Sequence, residues 1–178
     1  ILPPPMAGFF EFSMMRVRDD IDQHLLAELF WQYVTVEDDF IVSLFTHGET
    51  QLGRVFVNEP ALTDARPAAR TRDTRMQILD YERASEVIGT AQHMGVGVCY
   101  CRHKAEHVGK ARKAPMNICM TFGGTADALI RHGYARRVDK AEGMDLLEEA
   151  YESRLVQFGE NVQRDVAFIC NCCGCCCE

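Results

Sequence analysis

Nine cysteines carry most of the reactive chemistry in this sequence, and their spacing is uneven. Six of them lie between Cys170 and Cys177, the others are Cys99, Cys101 and Cys119, and none occurs in the first 98 residues. An odd number of cysteines without a secretory signal is typical of a reducing compartment, where thiols stay free to bind metal or react. Adjacent cysteines also pair poorly with each other, because their side chains point apart. The pattern therefore indicates a thiolate-ligated soft metal centre rather than a disulfide framework.

Two segments are predicted to deliver the first three ligands. Cys99 and Cys101 fall at the end of a predicted strand over 95–101, where alternate side chains share a face. Cys119 lies on the next predicted strand, over 117–122. These three thiolates leave one position open in a set of four, and a tail cysteine would complete it, as in iron-sulfur sites. The predicted cluster ligands are Cys99, Cys101 and Cys119 with Cys170 or Cys172, and Cys173 and Cys175 are further candidate metal ligands.

Positive charge is concentrated next to Cys101 in a chain that is otherwise acidic. The chain has 19 basic and 26 acidic residues, yet five basic side chains face only Glu106 over residues 102–113. These five are Arg102, Lys104, Lys110, Arg112 and Lys113. Cations lower thiol pKa values and compensate for the charge of a thiolate-ligated centre. Arg102, which follows the Cys-x-Cys directly, is the predicted non-cysteine member of the site, and a solvated loop is the alternative interpretation.

The histidines and the tail leave two other hypotheses open. Cys99, Cys101, His103 and His107 form a Cys2His2 set, whose histidines at i and i+4 on a helix would suit zinc. Alternatively, the chain is a thiol or metal redox sensor whose tail cysteines are oxidised or exchange metal. Such a sensor would signal to an attached DNA-binding segment. Apart from the thiols we find no catalytic signature, so an electron carrier or redox subunit is favoured over a stand-alone enzyme.

The helices and strands that must position these residues are predicted in two parts: helices dominate the N-terminal part, and strands interleave with helices in the rest. Helical spacing predicts a helix from Asp19 or Asp20 to about Val34 and a second over 37–46, followed by a short strand over 53–57. After residue 76, strands are predicted over 95–101, 117–122, 135–138, 155–158 and 166–170, with helices over 81–93 and 125–132 and a third opened by Asp139. The prediction is an α+β fold with three parts: an N-terminal helical segment at 1–59, an Arg-rich linker at 60–75, and an iron-sulfur binding domain at 76–178. This last domain is predicted to be a small mixed α/β layer with a cysteine-rich tail.

Composition and charge exclude several classes of protein. With 47% hydrophobic and 25% charged residues the chain has the composition of a soluble globular protein, and we expect it in the cytoplasm. No apolar run approaches the roughly 20 residues needed to cross a bilayer. A net charge of -7 argues against nucleic-acid binding. The chain begins at Ile1 and ends at Glu178, directly after a run of cysteines, so we expect it to be a segment of a longer protein.

Three motifs resemble those of a known group of iron-sulfur proteins. The stretch Cys99-Tyr-Cys-Arg-His-Lys, the segment Ala-Pro-Met-Asn-Ile-Cys119-Met and the tail Phe168-Ile-Cys-Asn-Cys-Cys-Gly-Cys-Cys look like bacterial and archaeal ferredoxin-type 4Fe-4S proteins. Longer members carry a winged-helix-like N-terminal segment and a C-terminal two-cluster ferredoxin domain. The resemblance implies a 4Fe-4S cluster, electron transfer, and a redox partner protein or an attached ferredoxin domain. Relatives often have a cysteine near the position of Arg112, and the Cys-x2-Cys-x2-Cys runs of other ferredoxins are absent here.

Overall fold

One antiparallel sheet organises the part of the chain that the structure describes. The structure is a computed structural model, and it describes residues 20–32, 39, 47, 53–58 and 82–176. Its helices are α1 (Gln23–Trp31), α2 (Ala84–Thr90), α3 (Tyr100–His107), α4 (Gly123–Arg131) and α5 (Lys140–Glu152). Its strands are β1 (Gly53–Val55), β2 (Met94–Val98), β3 (Asn117–Phe122), β4 (Arg136–Arg137), β5 (Val156–Glu160) and β6 (Phe168–Cys172).

The strand order in the sheet is β1-β5-β6-β3-β2-β4, and every neighbouring pair is antiparallel. This sheet with its helices confirms the predicted α+β class. Strand β1 lies within the strand predicted over 53–57 and joins the sheet through Gly53 opposite Glu160. The predicted linker at 60–75 and the predicted helix over 37–46 lie outside the described residues, apart from the isolated position Asp39, so the domain boundaries stay predictions.

The two faces of the sheet differ in what covers them. On β3, alternate side chains at Ile118, Met120 and Phe122 are buried, and they face the core beneath α2 and α5. That core contains Phe56, Ile88, Met94, Val96, Met120, Phe122, Leu147 and Ile169. Helix α4 packs on the opposite face, where a Cβ on Gly95 would lie 3.3 Å from the Ile130 side chain of α4. A larger residue at Gly95 would therefore crowd α4 at that point on β2.

Two aspartates set where helices begin. The carboxylate of Asp22 accepts the Leu25 amide at 3.0 Å, so α1 begins after Asp22 rather than after Asp19 or Asp20 as predicted. Asp139 caps α5 as predicted, because its carboxylate accepts the Glu142 amide at 2.9 Å. The carboxylate of Glu142 pairs with Arg136 at 2.6 Å, on the neighbouring β4. No helix in the described ranges has the length and apolar character required to span a membrane.

The predicted strand over 95–101 is wrong at its end. Strand β2 stops at Val98 after an irregularity in its pairing between Gly97 and Val98, and α3 begins at Tyr100. Cys99 is the residue that precedes the helix, and its amide donates to the Met116 carbonyl at 2.7 Å. Cys99 and Cys101 therefore do not share a strand face, and the basic stretch after Cys101 begins as a helix rather than a loop.

Candidate metal centre

Five cysteines form a continuous series of neighbouring thiols, which we call the thiol row. In spatial order it runs Cys101, Cys99, Cys119, Cys170, Cys172. Side-chain hydrogen bonds join Cys99 to Cys101 and to Cys119. Others join Cys170 to Cys119 and to Cys172. The structure thus brings together all five cysteines that were predicted to supply cluster ligands, and each of them is a free thiol.

Strand register places the middle of the row. Met120 pairs with Ile169 across β3 and β6, and both side chains face the core. Because side chains alternate along a strand, the adjacent Cys119 and Cys170 lie side by side on the opposite face. Cys172 follows two residues later and points to the same face as Cys170. The sheet therefore supplies three thiols from two central strands.

The N-terminus of α3 supplies the other two thiols of the row. Cys99 is buried, with 3% of its surface exposed, and Cys101 lies half-buried in the first turn of the helix. Hydrogen bonding to Cys101 and Cys119 lowers the pKa of Cys99 to about 3 against the opposing effect of burial, with smaller contributions from the Arg102 amide and guanidinium. A thiol at this position is a thiolate at neutral pH, as expected at a helix N-terminus beside a cation.

Cys119 and Cys170, in the middle of the row, hold their protons. A hydrogen bond to Cys170 favours the thiolate of Cys119, but the neighbouring Cys99 charge and burial outweigh it and raise the pKa of Cys119 well above its usual value. Hydrogen bonds to Cys119 and Cys172, together with burial, raise the pKa of Cys170 in the same way. Of these three thiols, Cys99 therefore carries the negative charge when no metal is bound. Metal binding would release the remaining protons, because thiolates are the ligating form.

Arg102 places a buried positive charge against these sulfurs. Its side chain has 0% exposed surface, and its Nη1 donates to the Asn171 carbonyl at 2.9 Å. Within the described residues, Nε and Nη2 have no hydrogen-bond partner of good geometry. Burial would lower the pKa of Arg102, but the charges of Cys99 and Cys119 and a side-chain interaction with Cys173 raise it. Because a buried charge without a counter-charge costs several kcal/mol, the sulfurs are its natural anionic partners.

Asn171 holds this arrangement in place, and the sequence analysis did not predict it as a site residue. It is fully buried, its Nδ2 donates to the Ile118 carbonyl at 2.6 Å, and its Oδ1 accepts from Gln157 Nε2 at 2.9 Å. Its main-chain carbonyl accepts from Arg102. The signal in the sequence was a polar residue at a core-facing position of β6, between the two cysteines that face the other way.

A second thiol group follows β6, and we call it the tail triad: Cys173, Cys175 and Cys176. Cys175 Sγ lies 3.3 Å from Cys173 Sγ and 3.6 Å from Cys176 Sγ, and all three sulfurs lie within 4.8 Å of one another. These separations exceed the roughly 2.05 Å of a disulfide bond, so the thiols are free. Gly174 has a φ of +71°, a left-handed conformation that lets the chain turn and bring the thiols together. The triad is able to hold a metal ion.

The thiols of the triad differ in charge state. Burial opposes the thiolate of Cys173, but the amides and side chains of Cys175 and Cys176 outweigh it and lower its pKa. A hydrogen bond to Cys173, followed by burial, raises the pKa of Cys175 to about 12. Cys176 is buried beside the amide of Arg112. The sequence analysis named Cys173 and Cys175 but not Cys176, and Cys177 lies outside the described residues.

The alternative Cys2His2 site is not assembled in this structure. His103 and His107 do lie on one face of α3, with their Nε2 atoms 3.4 Å apart. In the portion of the chain that is described, however, the tail triad is the one group of three or more His, Cys, Asp or Glu donors all within 4.8 Å. Cys99 and Cys101 therefore do not converge with the two histidines.

The basic patch divides into a buried part and an exposed part. Arg102 and Lys104 are buried, whereas Lys110, Arg112 and Lys113 are exposed. Lys110 lies over the Trp31 ring, with its Nζ 4.3 Å from the ring centroid, and so contacts α1 instead of the thiols. The solvated-loop interpretation is therefore wrong for Arg102 and Lys104.

The eight described cysteines thus form two groups, five in the row and three in the triad, and the buried guanidinium of Arg102 interacts with Cys99, Cys119 and Cys173. Thiolate donors of this kind select soft metals such as iron in clusters, zinc or copper(I). The functional interpretation depends on this arrangement alone. No family model, curated protein or solved structure shows a significant match to the chain.

Proposed function

We propose that the chain binds an iron-sulfur cluster of the 4Fe-4S type and acts in electron transfer, as a segment of a larger ferredoxin-like protein or redox complex. One observation carries the proposal: a fully buried Arg102 interacts with Cys99 and Cys119, and two of its nitrogens have no hydrogen-bond partner of good geometry among the described residues. A buried cation of this kind needs an anionic partner, and a thiolate-ligated centre provides one.

The spacing of the thiol row favours a cluster over a single ion. No three thiols of the row lie within 4.8 Å of one another, so any three of them include a more distant pair. One tetrahedral ion with metal-sulfur bonds of about 2.3 Å needs sulfurs only about 3.8 Å apart. A 4Fe-4S cluster takes four thiolates on four different irons and so accepts a wider spacing. The thiolate ligands and the distances between their sulfurs both fit such a cluster.

The proposed ligands are Cys99, Cys101 and Cys119 with either Cys170 or Cys172. The row offers five thiols for four positions, so the last two are alternatives. When bound, an iron-sulfur cluster exchanges single electrons, here accepted from a reduced partner protein and passed to an oxidised one. The contribution of the chain is to hold the thiolates, exclude water from Cys99 and supply positive charge through Arg102.

Anaerobic purification of the full chain tests the proposal. We expect iron and acid-labile sulfide in equal amounts and a broad visible absorption that dithionite bleaches. The Cys119→Ser variant, which interrupts the middle of the row, should lose most of the iron and sulfide together. A colourless protein with stoichiometric zinc and no sulfide would overturn the proposal and favour a zinc-binding or redox-sensing module.

A further inference from the structure

We infer that the tail triad is a second metal site, separate from the thiol row, that holds one divalent ion of the zinc class in a tetrahedral thiolate environment. The site consists of Cys173, Cys175 and Cys176. It would serve a structural purpose, since an ion of this class exchanges no electrons and closes the loop that follows β6.

The distances between the sulfurs of the triad fit a single ion. The separations of 3.3 and 3.6 Å in the triad are close to the roughly 3.8 Å between ligands on one tetrahedral zinc ion. The same comparison excludes the row, where any three thiols include a pair farther apart than 4.8 Å. The compact group therefore fits one ion and the extended group fits a cluster.

The adjacent residues Cys172 and Cys173 face different sides of the chain. Cys172 ends β6 on the face of the row, whereas Cys173 packs against the core cluster of Ile118, Ala150 and Leu155. Adjacent residues in extended backbone point in opposite directions, so these neighbours serve different sites. A single centre that used both thiols would require the end of β6 to turn over.

A buried positive charge lies beside the triad. Three thiolates around a divalent ion leave one net negative charge, and the side chain of Arg102 interacts with Cys173 from within the protein. Two nitrogens of that guanidinium are buried without a hydrogen-bond partner of good geometry among the described residues. The described residues supply three thiolates to the tetrahedron, and one of them, Cys175, is exposed.

Cobalt titration of the full chain tests the site. The chain is purified anaerobically, stripped of metal with a chelator and titrated with Co²⁺, whose visible bands report tetrahedral thiolate coordination. We expect one Co²⁺ per chain with these bands, displaced by one equivalent of Zn²⁺. Cys175→Ser removes an exposed ligand with little risk to folding and should weaken Co²⁺ binding by more than about 100-fold. Even the loss of a residue that only hydrogen-bonds to a metal ligand lowers metal affinity by about 10- to 100-fold, and loss of a ligand should cost more.

The matched control is Cys119→Ser, which removes a thiol from the row and leaves the triad intact, so its cobalt bands should persist. If circular dichroism shows that Cys119→Ser does not fold, Cys101→Ser serves as the control instead. Equal loss of the bands in the row and triad variants would overturn the inference, as would full cobalt binding by Cys175→Ser. Because the stripped chain carries no iron or sulfide, this result is independent of whether the row accepts a cluster, which the anaerobic preparation decides.

Discussion

Arg102 and Asn171 are joined by a hydrogen bond that links α3 to β6: the guanidinium Nη1 donates to the main-chain carbonyl of Asn171 at 2.9 Å. Neither residue has exposed surface. With one end fixed, the guanidinium lies between Cys99 and Cys119 of the row and Cys173 of the triad. A single buried cation therefore compensates for charge in both thiol groups.

Replacement of Arg102 should shift the reduction potential of the iron-loaded chain. Arg102→Ala should lower the midpoint by on the order of 100 mV, because the reduced centre carries one more negative charge and loses a nearby cation. The midpoint of Arg102→Lys should fall between those of the parent and Arg102→Ala, since lysine keeps the charge without the planar set of donors. A redox titration gives the midpoints, with the exposed Lys110→Ala as the control. An unchanged midpoint in Arg102→Ala at full iron content would contradict the assigned role.

Replacement of Asn171 should destabilise the fold without touching a thiol. Asn171→Ala removes the buried hydrogen bonds to Ile118 and Gln157 and leaves their polar groups unsatisfied. Each unsatisfied group costs about 1 to 3 kcal/mol, so we expect the free energy of unfolding of the metal-free chain to fall by about 2 kcal/mol or more. Urea denaturation measures it, and the exposed Gln163→Ala should stay within about 0.5 kcal/mol of the parent. Equal stability of the two variants would show that the buried hydrogen bonds of Asn171 do not stabilise the fold.

Serine substitutions along the row should differ in their effect on iron content. Cys99→Ser and Cys101→Ser should each lose most of the iron and sulfide, because these thiols come from the start of α3 and the fixed row offers no substitute. Cys170→Ser and Cys172→Ser should each lose less, since one can replace the other, and the double variant should lose as much as Cys99→Ser. Iron and sulfide assays measure this. Equal loss in all four single variants would rule out the proposed redundancy.

The metal-free chain should keep one thiolate far below the usual pKa of cysteine. Hydrogen bonds to Cys101 and Cys119 stabilise the anion of Cys99, so its pKa falls to about 3 and the thiolate persists as the pH drops to that value. Ultraviolet difference spectra at neutral pH should show a thiolate that Cys99→Ser removes. Cys175→Ser is the control, because the pKa of Cys175 is about 12 and its thiol stays protonated. A neutral-pH spectrum that Cys99→Ser leaves unchanged would place the charge elsewhere.

Local patterns in the sequence predicted most strands of the sheet and one helix cap well. The alternation of Ile118, Met120 and Phe122 predicted β3 with its bounds, and Asp139 predicted the start of α5. These features depend on neighbours in sequence, so they can be read without the rest of the fold. The start of α3 could not be read in this way, because it depends on an irregularity in pairing with β3 after Gly97.

The contacts within the site depend on long-range geometry. Cys119 and Cys170 were both predicted as ligands, but their lateral contact follows from the β3-β6 register, which no local pattern specifies. The stretch after Cys101 is rich in charge and reads as solvent-exposed, yet tertiary packing buries Arg102 completely. The division of the tail cysteines into two groups likewise follows from the end of β6 at Cys172.

Strand β6 has a consequence for how the protein is made. It follows every other described strand in the sequence but lies in the middle of the sheet, between β5 and β3. Its bond with α3 joins residues 69 positions apart, and contacts between such distant residues are slow to form. While the ribosome is still synthesising the tail, Cys99, Cys101 and Cys119 have no partners from β6. A metal centre that used thiols from both α3 and β6 would therefore assemble only after β6 has been synthesised.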